Sequence, residues 1–218
     1  VALMYRKDEF NYLNHKTITI SYSFAKDYKT RDILYVKGIA SKTDTLHIFV
    51  NHWSSRRGGM KKSEPKRVFA AKKLRYEVDS ILKEYQEAKI IITGDFNDEP
   101  TNMSLMNILR ATNKRQNVSY EDLYNLMYNL HNEEEKGTYS YKGNWNMLDN
   151  IIVSQALLDT DQGYSATYTG GNIFKEEWFL YNNPKTGNFT PNRTYGGDNY
   201  FGGYSDHLPV YVIFTKSE

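Results

Sequence analysis

The stretch "IITGDFNDEP", residues 91–100, joins an apolar β-branched run to a dense group of polar residues. The apolar half, Ile90–Thr93, predicts a short buried strand. Asp95 and Asn97 then lie on one side of the chain because side chains alternate along a strand, and Gly94 permits a turn or a close approach. One interpretation is simply a strand followed by a turn. The other is a carboxylate and an amide held at a strand end, where a metal ion or a water molecule could bind.

The composition limits the class of protein. A chain of 218 residues with 39% hydrophobic and 25% charged residues suits a soluble globular protein. The net charge of +2 gives little support for a polyanionic partner and excludes none. The absence of cysteine excludes disulfides and thiolate metal sites. No apolar run is long enough to cross a bilayer.

The beginning of the chain, "VALMYRKDEF", has no initiator Met and starts directly in an apolar, strand-like pattern. We therefore expect either that an upstream segment has been removed or that the chain is a fragment. If that segment carried a secretion signal, the protein would be extracytoplasmic. The compartment and the oligomeric state otherwise remain open.

The chain pattern predicts one mixed domain over residues 1–218. Strands are expected at 1–6, 17–24, 33–41 and 45–50, a helix at Pro65–Tyr85, and another helix at about 102–111. "GTYSYKG" and "NMLDNIIVS" are expected to form a strand pair, and "LPVYVIF" is expected to form the last strand. This order favours an α/β or α+β fold with a helix layer on a mostly antiparallel sheet.

Polar residues follow, interrupt or directly precede four of these predicted strands, and strand ends on one edge of a sheet converge. They are Asn51 with His52, Asp95 with Asn97, Asp149, and Asp206 with His207. Carboxylate, amide and imidazole groups without cysteine favour a hard cation such as Mg²⁺ or Mn²⁺. Each has a simpler explanation alone, as a core histidine, an edge charge or a turn, but four together are harder to explain in that way.

The segments "NHW", "GDFND", "LDNIIVS" and "GGYSDHLPVYVIF" resemble the endonuclease/exonuclease/phosphatase superfamily, which has the fold of pancreatic deoxyribonuclease and abasic-site endonucleases. The resemblance implies a four-layer α/β sandwich, in which two packed, mostly antiparallel β-sheets carry outer helices. Residues 1–218 would correspond to the C-terminal two-thirds of that domain, which would lack its N-terminal part.

The resemblance also implies catalytic roles for five residues. Asp95 matches the residue that activates or orients the attacking water, and Asn97 matches its partner at the phosphate or the metal-bound water. His207 matches the catalytic imidazole, and Asp149 matches the carboxylate that hydrogen-bonds it. His52 matches a second histidine that faces the scissile phosphate. A carboxylate paired with the imidazole would favour its protonated form near neutral pH.

The metal site implied by the resemblance is incomplete in this chain. Asp206 matches a metal-site carboxylate, and Asn97 with waters would complete the shell of a Mg²⁺ or Mn²⁺ ion. The family's principal metal-binding glutamate, usually in a "QE" context after a strand, has no counterpart, because "YQEAK" at 85–89 ends a predicted helix. We therefore expect the 218-residue chain alone to be inactive or nearly so.

Two groups of residues are candidates for binding substrate. Arg56 and Arg57 in "SSRRGG" could clamp a phosphate, since guanidinium groups match phosphate oxygens, although a solvated basic loop explains them equally well. Arg193, Tyr195 and Tyr200 precede "SDH" in a Gly-rich loop, so they are expected at the rim of the same cavity.

The leading functional hypothesis is a Mg²⁺-dependent, nuclease-like phosphodiesterase that acts on a phosphoester substrate, with nucleic acid as one candidate. A phosphatase or phospholipase acting on sugar phosphates, inositides or sphingomyelin is the alternative within the same fold, because the loops choose the substrate. The alternative that involves no catalysis is a binding fragment that keeps the motifs but not the metal.

Overall fold

The computed structural model describes residues 1–158, 163–166 and 170–217. The described strands, in chain order, are β1 (Phe10–Ile18), β2 (Ile33–Ala40), β3 (Asp44–His52), β4 (Lys89–Asp95), β5 (Ala111–Thr112), β6 (Leu123–Asn125), β7 (Tyr139–Tyr141), β8 (Asn144–Asn146), β9 (Asp149–Ser154), β10 (Gly163–Ala166), β11 (Asn172–Ile173), β12 (Leu180–Asn182), β13 (Phe189–Pro191), β14 (Tyr195–Gly196), β15 (Asn199–Tyr200), β16 (Val210–Tyr211) and β17 (Phe214–Ser217). The helical segments are α1 (Met60–Glu84), α2 (Tyr128–His131), a π-helical turn (Ser104–Ile108) and two 3₁₀ turns (Gln155–Leu157 and Glu177–Phe179). No helix in these ranges is long and apolar enough to cross a membrane.

A seven-stranded sheet in the order β1-β2-β3-β4-β9-β6-β5 forms the centre of the fold. The β3–β4 and β5–β6 pairs are parallel, and the other neighbouring strands are antiparallel. The register pairs His52 with Asp95 across β3 and β4, and Asp95 with Asp149 across β4 and β9. Three of the predicted site residues therefore lie side by side on adjacent strands.

Helix α1 covers one face of this sheet. Leu74 and Val78 of α1 and Ile90 and Ile92 of β4 belong to the same core cluster and are fully buried. The helix begins five residues earlier than the predicted Pro65, so the proline lies within it. The apolar spacing of α1 and the alternation of β4 thus produce a helix-on-sheet layer, as the sequence predicted.

Small two-stranded sheets cover part of the opposite face. The β10–β17 and β11–β16 pairs supply Ala166, Val210 and Phe214, which pack with Ile151 and Val153 of β9. The predicted α/β class is confirmed, with one large central sheet, several small sheets and few helices.

Several predicted elements are wrong. Residues 1–6 form no strand, and most of the predicted strand at 17–24 belongs to a loop between β1 and β2. The helix expected at about 102–111 is only a short π-helical turn. Strand β7 pairs with β8 instead of with β9, because Lys142 and Gly143 both take positive φ angles (52° and 83°) and close a tight hairpin between β7 and β8.

Candidate active site

A cavity of about 1110 Å³ opens at the edge of the central sheet where β3 and β4 end and β9 begins. The structure brings the six predicted catalytic and metal-site residues into its wall: His52, Asp95, Asn97, Asp149, Asp206 and His207. Their predicted convergence is present, and their individual roles stay predictions. Arg56 and Arg57, predicted to bind a phosphate, line the same cavity.

Gly94 is required by the close pairing of β3 with β4. It lies opposite Asn51 and has a φ of 133°, and a Cβ atom there would lie 2.0 Å from the Asn51 carbonyl oxygen. The Asn51 amide donates to the Thr93 carbonyl (3.3 Å) and accepts from the Trp53 indole (3.0 Å). Asn51 therefore joins the two strand ends and does not line the cavity, whereas the next residue, His52, does.

Asp95 and Asn97 form a closed turn at the end of β4. The Asn97 backbone N–H donates to Asp95 Oδ1 (2.8 Å), and its Nδ2 donates to Asp95 Oδ2 (3.0 Å) and the Trp53 carbonyl (3.1 Å). Asn97 takes a left-handed φ of 50°, which asparagine tolerates. Burial, and next the charge of Asp149, raise the pKa of Asp95 to about 6. This carboxyl can therefore exchange a proton near neutral pH.

His207 and Asp149 form a hydrogen-bonded dyad. The distance between His207 Nδ1 and Asp149 Oδ2 is 2.6 Å, and the Tyr139 ring lies 4.8 Å from the imidazole, centroid to centroid. Burial opposes the charged imidazole, but the hydrogen bond and charge of Asp149, aided by nearby carboxylates, raise the pKa of His207 to about 9. The dyad therefore presents an imidazolium at neutral pH and leaves Nε2 free of Asp149.

His52 differs electrostatically from His207. Its Nε2 lies 3.4 Å from Asp95 Oδ2, and its side chain is 38% exposed. Burial, with the positive charges of Arg31 and His207, lowers its pKa below the ordinary 6.5. His52 consequently enters the site as a neutral imidazole, and the positive charge near the predicted scissile phosphate comes from His207.

A buried ion pair supports the loop that carries Asn97. Arg67 of α1 is fully buried and its Nε lies 2.7 Å from Asp98 Oδ1, while the Ser104 hydroxyl donates to Asp98 Oδ2 (2.5 Å). The sequence indicated Arg67 only as a helix residue. The feature that could have identified Arg67 is its position on the apolar stripe of an amphipathic helix. A charged side chain there is buried and therefore needs a buried partner.

Arg56 is also engaged with this loop. Its Nε donates to the Asn97 carbonyl (2.8 Å), and its terminal nitrogens donate to Asn146 (3.1 Å) and Asn102 (3.0 Å). Most of its donors are therefore occupied by protein oxygens. The contacts give Arg56 a role in positioning Asn97, and its predicted contact with a phosphate stays a prediction.

The carboxylates near the dyad have the chemistry of a cation site. Asp95, Asp149 and His207 each offer a ligand atom within 4.8 Å of the others. Since His207 Nδ1 and Asp149 already share a hydrogen bond, the oxygens of Asp95 and Asn97 are better suited to a hard cation. Each Asp95 oxygen accepts one hydrogen bond from Asn97 and keeps a second lone pair for an ion. Asp206 is exposed in the cavity wall outside that group, so its role as a ligand stays a prediction.

No glutamate occurs among the described residues that line the cavity. The "QE" pair at 86–87 lies in the turn between α1 and β4, and that turn precedes the start of β4, whereas the cavity lies at its end. The structure thus agrees with the sequence in giving Glu87 no place at the site.

The Gly-rich loop has a different position from the predicted one. Arg193, Tyr195 and Tyr200 are absent from the described lining of the cavity. The loop closes at its base, where Tyr204 N–H donates to the Asn192 carbonyl (2.7 Å), and the rings of Tyr195 and Tyr200 pack on each other across β14 and β15 (5.2 Å). This placement does not support the predicted contact of the three side chains with substrate.

Sequence reasoning missed several wall residues of the cavity, which include Arg31, Tyr139, Tyr141 and Asn146. The antiparallel register that pairs Leu34 with Val50 puts the beginning of β2 beside the end of β3. The position of Arg31 follows from this strand pairing, and the sequence alone does not specify the pairing.

The sequence matches the endonuclease/exonuclease/phosphatase family over residues 1–216, and the chain belongs to that family. Among solved structures, a humanized TDP2 from D. rerio is 17% identical and has a TM-score of 0.58, over 97% of this chain and 70% of that chain. A mannosyl-6-phosphatase from Bacteroides thetaiotaomicron is 18% identical and has a TM-score of 0.60, over 97% of this chain and 69% of that chain. D. rerio TDP2 in complex with a single-strand DNA product is 16% identical and has a TM-score of 0.56, over 97% of this chain and 70% of that chain.

No curated protein matches the chain at a significant level. The low identities of the solved structures establish the shared fold. Family membership supports a hydrolase that acts on phosphoesters.

Proposed function

We propose that the protein is a metal-dependent phosphodiesterase in which Asp95 activates the attacking water and the His207–Asp149 dyad assists. The single observation that carries the proposal is the position of the dyad, which shares one cavity wall with Asp95 and Asn97. A carboxyl whose pKa is about 6 beside an imidazole whose pKa is about 9 supplies a base and an acid at neutral pH.

The reaction would proceed by in-line attack. The ionised Asp95 accepts a proton from water as the water oxygen bonds to phosphorus. The bond from phosphorus to the leaving oxygen breaks, and that oxygen accepts the Nε2 proton of His207. Asn97 fixes the orientation of the Asp95 carboxylate through its two hydrogen bonds, and neutral His52 offers a hydrogen bond without adding charge. General acid–base assistance of this kind contributes roughly 10²–10⁴ in rate.

Mg²⁺ or Mn²⁺ is the cofactor that the family implies, and Asp95, Asn97 and Asp206 are the residues that would hold it. When bound, the ion would neutralise charge on the phosphoryl oxygens. The raised pKa of Asp95 fits such a site, because burial and the charge of Asp149 outweigh the opposing charge of His207, and a bound cation would reverse that balance. With no cavity-lining glutamate in the described residues, the 218-residue chain alone is expected to have little activity.

The test compares phosphodiester and phosphomonoester hydrolysis. We expect the protein at its natural length, with Mg²⁺ or Mn²⁺, to hydrolyse bis(p-nitrophenyl) phosphate faster than p-nitrophenyl phosphate, and EDTA to abolish both activities. Faster hydrolysis of the monoester would favour the phosphatase alternative. Binding of phosphoesters without turnover under all metal conditions would favour a non-catalytic module.

A further inference from the structure

The cavity has a second cationic region beside the proposed catalytic residues. Arg31 and Arg57 both line it, and both are exposed. Neither guanidinium makes a hydrogen bond or an ion pair with any residue in the described part of the chain. This distinguishes Arg57 from its neighbour Arg56, whose guanidinium is bonded to Asn97, Asn146 and Asn102.

The fold places both arginines on one side of the cavity. Arg31 comes two residues before β2 and Arg57 comes five residues after β3, and these antiparallel strands begin and end at the same sheet edge. A hydrogen bond from the Ser54 hydroxyl to Thr30 (3.4 Å) connects the two loops. Arg31 is close enough to His52 for its charge to lower the pKa of that histidine.

The backbone in this region is also suited to an anion. Gly58, Gly59 and Met60 line the cavity, and Met60 is the first residue of the 25-residue helix α1. The N-cap Gly59 has no side chain to satisfy the first N–H groups, and the first turn contains no acidic residue. The positive end of the helix dipole therefore adds to the two guanidinium charges.

We propose that Arg31 and Arg57 bind a second phosphate of the substrate, separate from the phosphate that is hydrolysed. This inference rests on the proposed function, since it takes the scissile phosphate to lie between Asp95 and His207. It narrows the substrate to molecules that carry two or more phosphates, either the backbone of a nucleotide chain or a small bisphosphate. Guanidinium groups bind phosphate oxygens in pairs, and unpaired arginines in a cavity wall are available for this.

The experiment measures ligand binding by calorimetry, so it does not depend on turnover. Thymidine 5′-monophosphate is compared with thymidine 3′,5′-bisphosphate, and fructose 6-phosphate is compared with fructose 1,6-bisphosphate. We expect the second phosphate to strengthen binding roughly ten-fold in at least one pair, and this gain to shrink at high salt. The pair that shows the gain identifies the source of the second phosphate.

Arg31→Ala combined with Arg57→Ala should bring the bisphosphate-to-monophosphate ratio of affinities close to one. Lys72→Ala is the matched control, because it removes an exposed positive charge from α1 outside the described lining of the cavity. It should preserve the ratio, and thermal melting should show that all variants are folded.

Equal affinity of the wild type for both members of each pair would overturn the subsite, and so would a gain that survives the double substitution. A protein that hydrolyses phosphodiesters but lacks the gain contradicts this inference alone. A protein that shows an arginine-dependent gain but hydrolyses no phosphoester contradicts the proposed function and leaves the subsite standing.

Discussion

Two regions of the molecule carry candidate site residues, and they differ in how they are held. The strand-end region, around Asp95, Asp149 and His207, is fixed by the register of adjacent strands and by buried polar bonds. The Gly-rich loop region, around Tyr195 and Tyr200, is held mainly by its own hairpin bonds and exposes its rings. Residues that are far apart in sequence converge where strands align them, and residues near a motif in sequence need not lie near it in space.

The largest expected effect is the loss of the imidazole. His207→Ala removes the proposed acid, so kcat on bis(p-nitrophenyl) phosphate should fall by roughly 10²–10⁴. His15→Ala is the control, since His15 is exposed on β1 outside the described cavity lining. Similar losses in both variants would show that the loss does not depend on an imidazole in the strand-end region.

The next largest effect concerns the support of the strand-end region. Asp98→Asn leaves the buried Arg67 without its counter-charge, which should cost about 3–5 kcal/mol in the free energy of unfolding. Glu133→Gln alters the exposed pair between Glu133 and Lys136 and should cost less than about 0.5 kcal/mol. Urea denaturation of both variants measures the difference, and a small effect of Asp98→Asn would show that the loop does not depend on this ion pair.

A smaller effect should appear in the pH dependence of the dyad. The pKa of His207, about 9, lies above its ordinary 6.5, so the stabilisation from Asp149 is complete below pH 6.5 and is lost as the pH rises through 9. In Asp149→Asn the pKa of His207 should fall by about two pH units, which NMR titration of the imidazole measures. The stability difference between wild type and Asp149→Asn should therefore be larger at pH 6 than above pH 9. An unchanged imidazole pKa in the variant would contradict the dyad.

The smallest effect is expected in the Gly-rich loop. A substrate-binding loop, as the sequence predicted, would make Arg193→Ala raise KM more than it lowers kcat. Since Arg193 is outside the described lining of the cavity, we expect kcat/KM to change less than about two-fold. A clear rise in KM would show that the Gly-rich loop, like the strand-end region, contributes to substrate binding.

The strand-end residues could be predicted because each motif is local in sequence, and the pairing of the strands in the sheet then brings the motifs together. "GDFN" encodes a strand, a close backbone contact at Gly94 and a polar turn within a few residues. The roles of Arg31, Arg56 and Arg67 could not be predicted in this way. Their contacts join segments whose proximity follows from strand pairing and helix packing, which one sequence does not specify.

The pairing of the small strands was equally hidden from the sequence. The pattern of "GTYSYKG" fits a strand, but it does not specify which strand pairs with it. The tight turn at Lys142 and Gly143 makes β8 the neighbour of β7. Short two-stranded elements carry too few side chains for their periodicity to specify their neighbours.

The measurement that tests the central claim most directly is the rate of phosphodiester hydrolysis in two matched carboxylate variants. With Mg²⁺ present, Asp95→Asn in the protein at its natural length should lower kcat on bis(p-nitrophenyl) phosphate at least about 100-fold, because it removes the base. Asp27→Asn, which neutralises an exposed carboxylate outside the described cavity lining, should change kcat less than about two-fold. If Asp95→Asn retained more than about half of the wild-type rate, the cavity between Asp95 and His207 would not be the active site.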